Sequence, residues 1–156
     1  LTEVKIPSSV LTVGEYAFAE SKNLVTVRFD SGTEVIGASA FRDCTVLASL
    51  SLPDTLKALG DFAFSGCMML GRTKVPASLT EIGVDVFTGC ERLILLVKDN
   101  PTAASYAKQY GIATSFTDTW LFTVLCLCFV TALLGAGIFA ADRYIRKKRK
   151  KPLSRG

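Results

Sequence analysis

The residues best suited to chemistry in this 156-residue chain are its five cysteines, because it contains no histidine. Without histidine the chain itself holds no Ser-His-Asp or Cys-His catalytic group and no His-ligated metal. Cys44, Cys67 and Cys90 stand singly, 23 residues apart, and Cys126 and Cys128 lie in an apolar run. None belongs to a C-x-x-C pair, so the spacing of a zinc site is missing. The chain has no phosphate-binding glycine loop, no paired carboxylates at a recognisable site and no nucleophile elbow. Asn100-Pro101-Thr102 is not a glycosylation acceptor, because proline occupies the middle position. These residues predict no catalytic group, no cofactor and no metal.

The cysteine spacing belongs to a wider period. Phe18, Phe41, Phe64 and Phe87 keep the same 23-residue step, each preceded by a smaller residue, Ala17, Ala40, Ala63 or Val86. Gly14, Gly37, Gly60 and Gly83 form another column, and Leu1, Leu24, Leu47, Leu70 and Leu93 a third. Pro7, Pro53 and Pro76 share a column in which Asp30 replaces proline, and Ser21 stands first in the cysteine column. Alternating apolar residues such as Val4 and Ile6, or Leu50 and Leu52, predict one short strand per unit, stopped by the proline. Glycine is expected to supply a positive-φ turn, and the Ala-Phe pair to fill the far side of each coil. One unit cannot bury its apolar face alone, but stacked coils can, with the Phe, Leu and Cys columns as internal ladders.

The unit L-x-x-V-x-I-P-x-x-V-x-x-I-G-x-x-A-F-x-x-C-x-x resembles the BspA-like leucine-rich repeats. That resemblance implies a right-handed solenoid of parallel strands joined by short turns or helical segments. It covers residues 1–98 as four 23-residue units and the start of a fifth. Asp30, Thr73, Val86 and the incomplete last copy LILLVKD depart from the pattern. Residues 99–112 resemble the segment that closes the last coil in this family. There Asn100-Pro101 reads as a helix cap and first turn, Gly111 as a stop, and Tyr106, Ala107 and Tyr110 as the covering face. Residues 113–119 read as a juxtamembrane linker.

Coils about 4.8 Å apart would permit a disulfide between neighbouring cysteines. A ladder of buried free thiols is the simpler expectation for Cys44, Cys67 and Cys90. On each strand the side chains between the inward ones face outward, onto the concave surface where solenoids bind partners. Lys5, Arg28, Ser51 and Lys74 form one such row, and Glu3, Thr26, Ser49 and Arg72 its neighbour. Lys5, Arg28, Ser51, Arg72 and Lys74 are the candidate binding residues of a modestly basic strip.

The formal charge of +4 divides unevenly. Residues 1–141 carry ten Lys/Arg against thirteen Asp/Glu, and residues 142–156 carry eight against one. Between the two lies Trp120 to Ala141, twenty-two residues without a charge. As a helix this run spans roughly 33 Å, enough for a bilayer core about 30 Å thick. Trp120 and Tyr144 suit the two interfaces. Arg143, Arg146, Lys147, Lys148, Arg149, Lys150 and Lys151 read as a stop-transfer cluster that keeps the tail cytoplasmic and attracts anionic inner-leaflet lipids. A nucleic-acid partner is not expected of a cluster tethered to a membrane. Cys126 and Cys128 fall in the outer half of the span, the wrong end for cytoplasmic palmitoylation. Ala132, Ala136 and Ala140 form a small-residue face suited to helix packing.

The chain opens on LTEVKIP, without an export signal, so an exported domain here is expected to be the C-terminal piece of a longer protein. The whole reads as a single-pass plasma-membrane protein with residues 1–119 outside. Resemblance to the family implies adhesion to, or recognition of, a protein or matrix ligand on host or neighbouring cells. The rival readings are a spacer, or a targeting module for a catalytic domain upstream.

Overall fold

The structure, a computed structural model, describes residues 1–115. The expected membrane span at 120–141, the basic tail and most of the linker lie outside the described residues. No helix among the described residues is long and apolar enough to cross a membrane.

Alternation builds the first element: Val4 and Ile6 face inward and Glu3 and Lys5 outward in β1 (Glu3–Ile6). The chain then runs through β2 (Thr12–Val13), β3 (Thr26–Phe29), β4 (Val35–Ile36), β5 (Ser49–Ser51) and β6 (Ala58–Leu59). It continues with β7 (Arg72–Lys74), β8 (Glu81–Ile82), β9 (Ile94–Leu96), α1 (Pro101–Gln109) and β10 (Ala113–Thr114). Each complete coil therefore holds two parallel strands, not the one that the apolar alternation predicts. The second row, β2-β4-β6-β8, is a four-stranded parallel sheet of two-residue strands. The first row divides into β1-β3-β5 and β7-β9-β10.

The division of the first row follows one of the departures from the repeat. Glu3 pairs with Thr26 and Thr26 with Ser49, each a full 23-residue step. β5 and β7 adjoin without a registered pairing, and between them Gly71 N–H donates to the Ala48 carbonyl at 3.3 Å. β7 carries the fully buried Thr73 where β5 carries Leu50. The last coil is one residue short, since Arg72 pairs with Ile94. Asp30 has the opposite effect: unlike proline it keeps its N–H, which donates to the Ile6 carbonyl at 2.9 Å and adds a ladder bond.

The glycine column has a different cause from the one expected. Gly14, Gly37, Gly60 and Gly83 are not among the positive-φ residues, which recur instead at Tyr16, Ser39, Phe62 and Asp85. A second left-handed column runs through Glu20, Asp43, Gly66 and Gly89. From Gly37 onward glycine is needed for clearance. A Cβ on Gly60 would lie 2.5 Å from Ala38 N, and one on Gly83 2.6 Å from Asp61 N, in the preceding coil. The left-handed conformations turn N–H groups along the stack. Tyr16, Ser39 and Phe62 donate to the carbonyls of Ala38, Asp61 and Val84 in the next coil at 3.1, 2.8 and 3.0 Å. Where the strands begin the later coil donates to the earlier one, as Val25 does to the Thr2 carbonyl at 2.8 Å. These axial bonds offset the cost of left-handed φ at bulky residues.

Inside, Phe18, Phe41, Phe64 and Phe87 stack face to face with centroids 5.1, 5.2 and 5.7 Å apart. The widest step is the one where Val86 replaces alanine. At the C-terminal end Tyr106 meets Phe87 edge-on at 6.2 Å and Tyr110 stacks on Tyr106 at 4.4 Å. Asn100 secures this lid. Its Oδ1 accepts from Ala103 N at 2.8 Å, capping α1, and its Nδ2 donates to the carbonyls of Pro76 at 2.7 Å and Leu79 at 2.9 Å. The closing segment extends beyond residue 112: Ala113 and Thr114, expected in the linker, pair with Ile94 and Leu95.

Candidate binding surface

Strand parity sets the outward face. Glu3, Thr26 and Ser49 fall in one row, and Lys5, Arg28 and Ser51 in the next, each in register across β1, β3 and β5. Arg72 and Lys74 extend the two rows on β7, beyond the interruption in the ladder. All these side chains are exposed except that of Thr26, which is half-buried. The candidate residues Lys5, Arg28, Ser51, Arg72 and Lys74 therefore share one face.

The charges on that face alternate rather than sum. Lys5 pairs with Asp30 at 3.1 Å, Arg28 with Glu3 at 3.4 Å and Lys74 with Asp54 at 3.4 Å. Two of these carboxylates come from the column after the strand, where Asp30 takes the place of proline and Asp54 follows one. Arg72 enters no ion pair among the described residues. Exposed pairs of this kind contribute little to stability and open readily to a competing charge. The face is thus a mosaic of fixed donors, acceptors and hydroxyls suited to a polar partner surface, and less basic than the cations alone suggest.

The cysteine column lies in the interior. Cys44, Cys67 and Cys90 are free thiols. Each S–H donates to a phenylalanine carbonyl of the preceding coil: Cys44 to Phe18 at 3.1 Å, Cys67 to Phe41 at 3.2 Å and Cys90 to Phe64 at 3.2 Å. Burial raises all three pKa values, and the backbone contact to the preceding coil opposes the rise only in part. Cys90 is pushed up to about 12. A thiol held in its protonated form is a poor nucleophile. The column therefore ties coils together and offers no reactive centre. Among the described residues no group of three or more His, Cys, Asp or Glu side chains is placed to hold a metal.

At the closing end the lid imitates the next coil. Asp85 N–H donates to Tyr110 Oη at 3.4 Å, where its counterparts in earlier coils meet a carbonyl. Burial pushes the Tyr106 hydroxyl up to about 12, opposed by the backbone of Phe87 and Val86. Among the described residues that hydroxyl has no hydrogen-bond partner.

Sequence reasoning overlooked a second feature of the surface, the exposed apolar residues Val25, Val46, Met68 and Met69. A signal was present: the two positions after the cysteine column are polar in the first and fourth coils and largely apolar in the two between. The stop-transfer residues from Arg143 to Lys151 lie outside the described residues.

The model of the BspA-type leucine-rich repeat region matches residues 1–102, in six copies. The chain belongs to the BspA-type leucine-rich repeat family. Among solved structures it is similar to a leucine-rich cell-surface protein of Faecalibacterium prausnitzii, at 24% identity and a TM-score of 0.62, over 76% of this chain and 33% of that one. It is also similar to a leucine-rich repeat protein of Bacteroides ovatus, at 27% identity and a TM-score of 0.62, over 71% of this chain and 29% of that one. The BspA-type chain thus spans about a third of the length of these two solved proteins. No curated protein matches it. Leucine-rich repeat families serve in general as binding scaffolds for protein ligands.

Proposed function

We propose that this chain is the membrane-proximal part of a cell-surface adhesin or recognition protein, whose solenoid binds a protein or matrix ligand on a host or neighbouring cell. Trp120 to Ala141 anchors it in the plasma membrane as a single span. The basic cluster from Arg143 to Lys151 holds the tail in the cytoplasm against anionic lipid. Residues 1–119 stand outside. Binding uses the outward face of the first strand row, with Lys5, Arg28, Ser51, Arg72 and Lys74 among the contacts.

The observation that carries this reading is the exposed face itself. Successive strands present two registered rows of charged and hydroxyl side chains, while of the repeat cysteines Cys44 and Cys67 are buried and Cys90 is half-buried. Such a row offers recognition with little apolar area, so affinity would depend on a few well-placed residues. The test uses the full chain displayed on cells and measures adhesion to host-cell monolayers and matrix proteins. Replacing Lys5, Arg28, Arg72 and Lys74 by glutamate is expected to reduce adhesion at least about tenfold, the equivalent of roughly 1.4 kcal/mol. Unchanged adhesion by the quadruple variant overturns the assignment of the face. Absence of adhesion by the parent chain overturns the adhesin reading.

A further inference from the structure

Just after the cysteine column each coil carries two surface residues: Lys22-Asn23, Thr45-Val46, Met68-Met69 and Glu91-Arg92. The outer coils spend these positions on polar and charged groups. The inner coils expose Val46, Met68 and Met69 at 38%, 47% and 41%, and Val25 adds 42% alongside them. Met68 and Met69 are the only methionines of the chain. The neighbouring column, Val25, Ala48 and Gly71, is a continuous ladder, with Ala48 N–H donating to Val25 at 2.9 Å and Gly71 N–H to Ala48 at 3.3 Å. Its small residues leave room beside the methionines, since a Cβ on Gly71 would meet only the Ala48 carbonyl, at 3.7 Å. Apolar side chains exposed together on neighbouring coils, rather than scattered singly, point to an interaction site, and methionine is the side chain that adapts best to varied partners.

Charge narrows the partner. Lys5, Arg28, Arg42, Lys57 and Lys74 each pair with a carboxylate. Lys22, Arg72 and Arg92, which border the strip, enter no ion pair among the described residues. Glu91 is the one carboxylate in the columns that form it. Residues 1–115 hold ten Lys/Arg and twelve Asp/Glu, a net of −2, so this flank is locally opposite in sign to its domain. Three coil steps separate Lys22 from Arg92, about 14 Å at about 4.8 Å per step, a distance that four or five extended residues cover at about 3.3 Å each.

We propose that the flank formed by Val25, Val46, Met68 and Met69, bordered by Lys22, Arg72 and Arg92, docks an extended peptide segment of a partner protein in which apolar side chains alternate with Asp or Glu. The proposal rests on the reading of the domain as a protein-recognition module and adds an apolar anchor at the N-terminal ends of β3, β5 and β7. The methionines supply the desolvated centre and the three cations fix the peptide's register and exclude basic sequences.

The test selects from a library of random 12-residue displayed peptides with the full 156-residue chain held in phosphatidylcholine nanodiscs. Enrichment of peptides that combine Asp or Glu with Leu, Phe, Tyr or Trp is expected. Binding of those peptides should weaken at least about tenfold in Met68→Glu/Met69→Glu and in Arg72→Glu/Arg92→Glu. Met68→Leu/Met69→Leu should retain it, which separates lost contact from lost folding. Enrichment of basic peptides, no enrichment, or binding indifferent to the methionine pair overturns the proposal. If binding instead depends on Lys5 and Arg28 alone, this site fails while the wider reading of protein recognition stands. Vesicles containing phosphatidylserine form the last arm: loss of vesicle binding in Met68→Glu/Met69→Glu, with no peptide bound, assigns the strip to lipid and overturns the proposal.

Discussion

Replacing Asn100 by alanine removes three hydrogen bonds at the point where the lid is fastened to the stack. The lost cap on Ala103 N costs about 1 kcal/mol. The Leu79 carbonyl loses the only partner it has among the described residues, which adds about 1–3 kcal/mol for a buried group left unpaired. The Pro76 carbonyl keeps the Leu79 N–H at 3.3 Å and so adds less. The sum is about 3 kcal/mol. Asn100→Asp discriminates more sharply, because it retains the cap acceptor and gains from the helix dipole, yet turns a carboxylate toward two carbonyl oxygens that now lie 2.7 and 2.9 Å from Nδ2. If capping were the residue's whole role, Asn100→Asp would be neutral. The geometry makes it at least as damaging as alanine at pH 7. Burial and the two carbonyls raise the folded-state pKa of the introduced carboxyl above its unfolded value of about 3.9. More protons are then bound in the folded state, so the variant gains stability as pH falls through that raised pKa toward about 4. The assay is urea unfolding of the full chain, read as a shift in midpoint at constant m, with amide hydrogen exchange locating the loss in α1 and the last coil. A shift below about 0.5 kcal/mol for Asn100→Ala, or wild-type stability of Asn100→Asp at pH 7, refutes the reasoning.

Other outcomes follow from the same structure. Gly60→Ala should destabilise by about 2 kcal/mol because its Cβ meets Ala38, whereas Gly14→Ala, with nothing within 4 Å, should stay within about 0.5 kcal/mol; paired urea midpoints check this. Phe41→Ala, at the fully buried centre of the stack, should cost about 3–5 kcal/mol, and Phe18→Ala, at the half-buried end, less; thermal unfolding of the two variants orders them. The repeat thiols should resist iodoacetamide at pH 8 in the folded chain and react after denaturation, as peptide mapping would reveal; prompt labelling of Cys67 contradicts its burial. Their raised pKa values mean the folded state holds the thiol protons more tightly, so stability should decline as pH rises from the ordinary value of 9.0 toward about 12, the folded value for Cys90. A pH titration of unfolding free energy compared with Cys90→Ala measures that slope.

The solenoid was legible because columns such as Phe18, Phe41, Phe64 and Phe87 repeat an internal contact, and a contact shared by every coil must recur at the coil's own period. The second strand row was not legible, since two residues such as Thr12 and Val13 are too few to display alternation. The glycine column was visible but its cause was not: clearance against Ala38 or Asp61 depends on how closely coils stack, which a lone repeat does not encode. Likewise nothing local marks Tyr16 or Phe62 as left-handed, because their conformation is held by carbonyls of the next coil. The outward face could be read from strand parity, but its pairing could not, since Lys5 finds Asp30 and Arg28 finds Glu3 across coils more than twenty residues apart in sequence. The sequence marks Asn100 only as a cap, because its two bonds to Pro76 and Leu79 are equally remote.

That the chain recognises a protein through the face of its first strand row is tested most directly by placing glutamates on each of the two strand rows in turn and measuring adhesion of the full chain. Substitutions at Lys5, Arg28, Arg72 and Lys74 should reduce adhesion at least about tenfold, while glutamates at the exposed Thr12 and Val35 of the second row should leave it within about twofold. Loss of adhesion from the second row alone, with the first-row variant unaffected, contradicts the account.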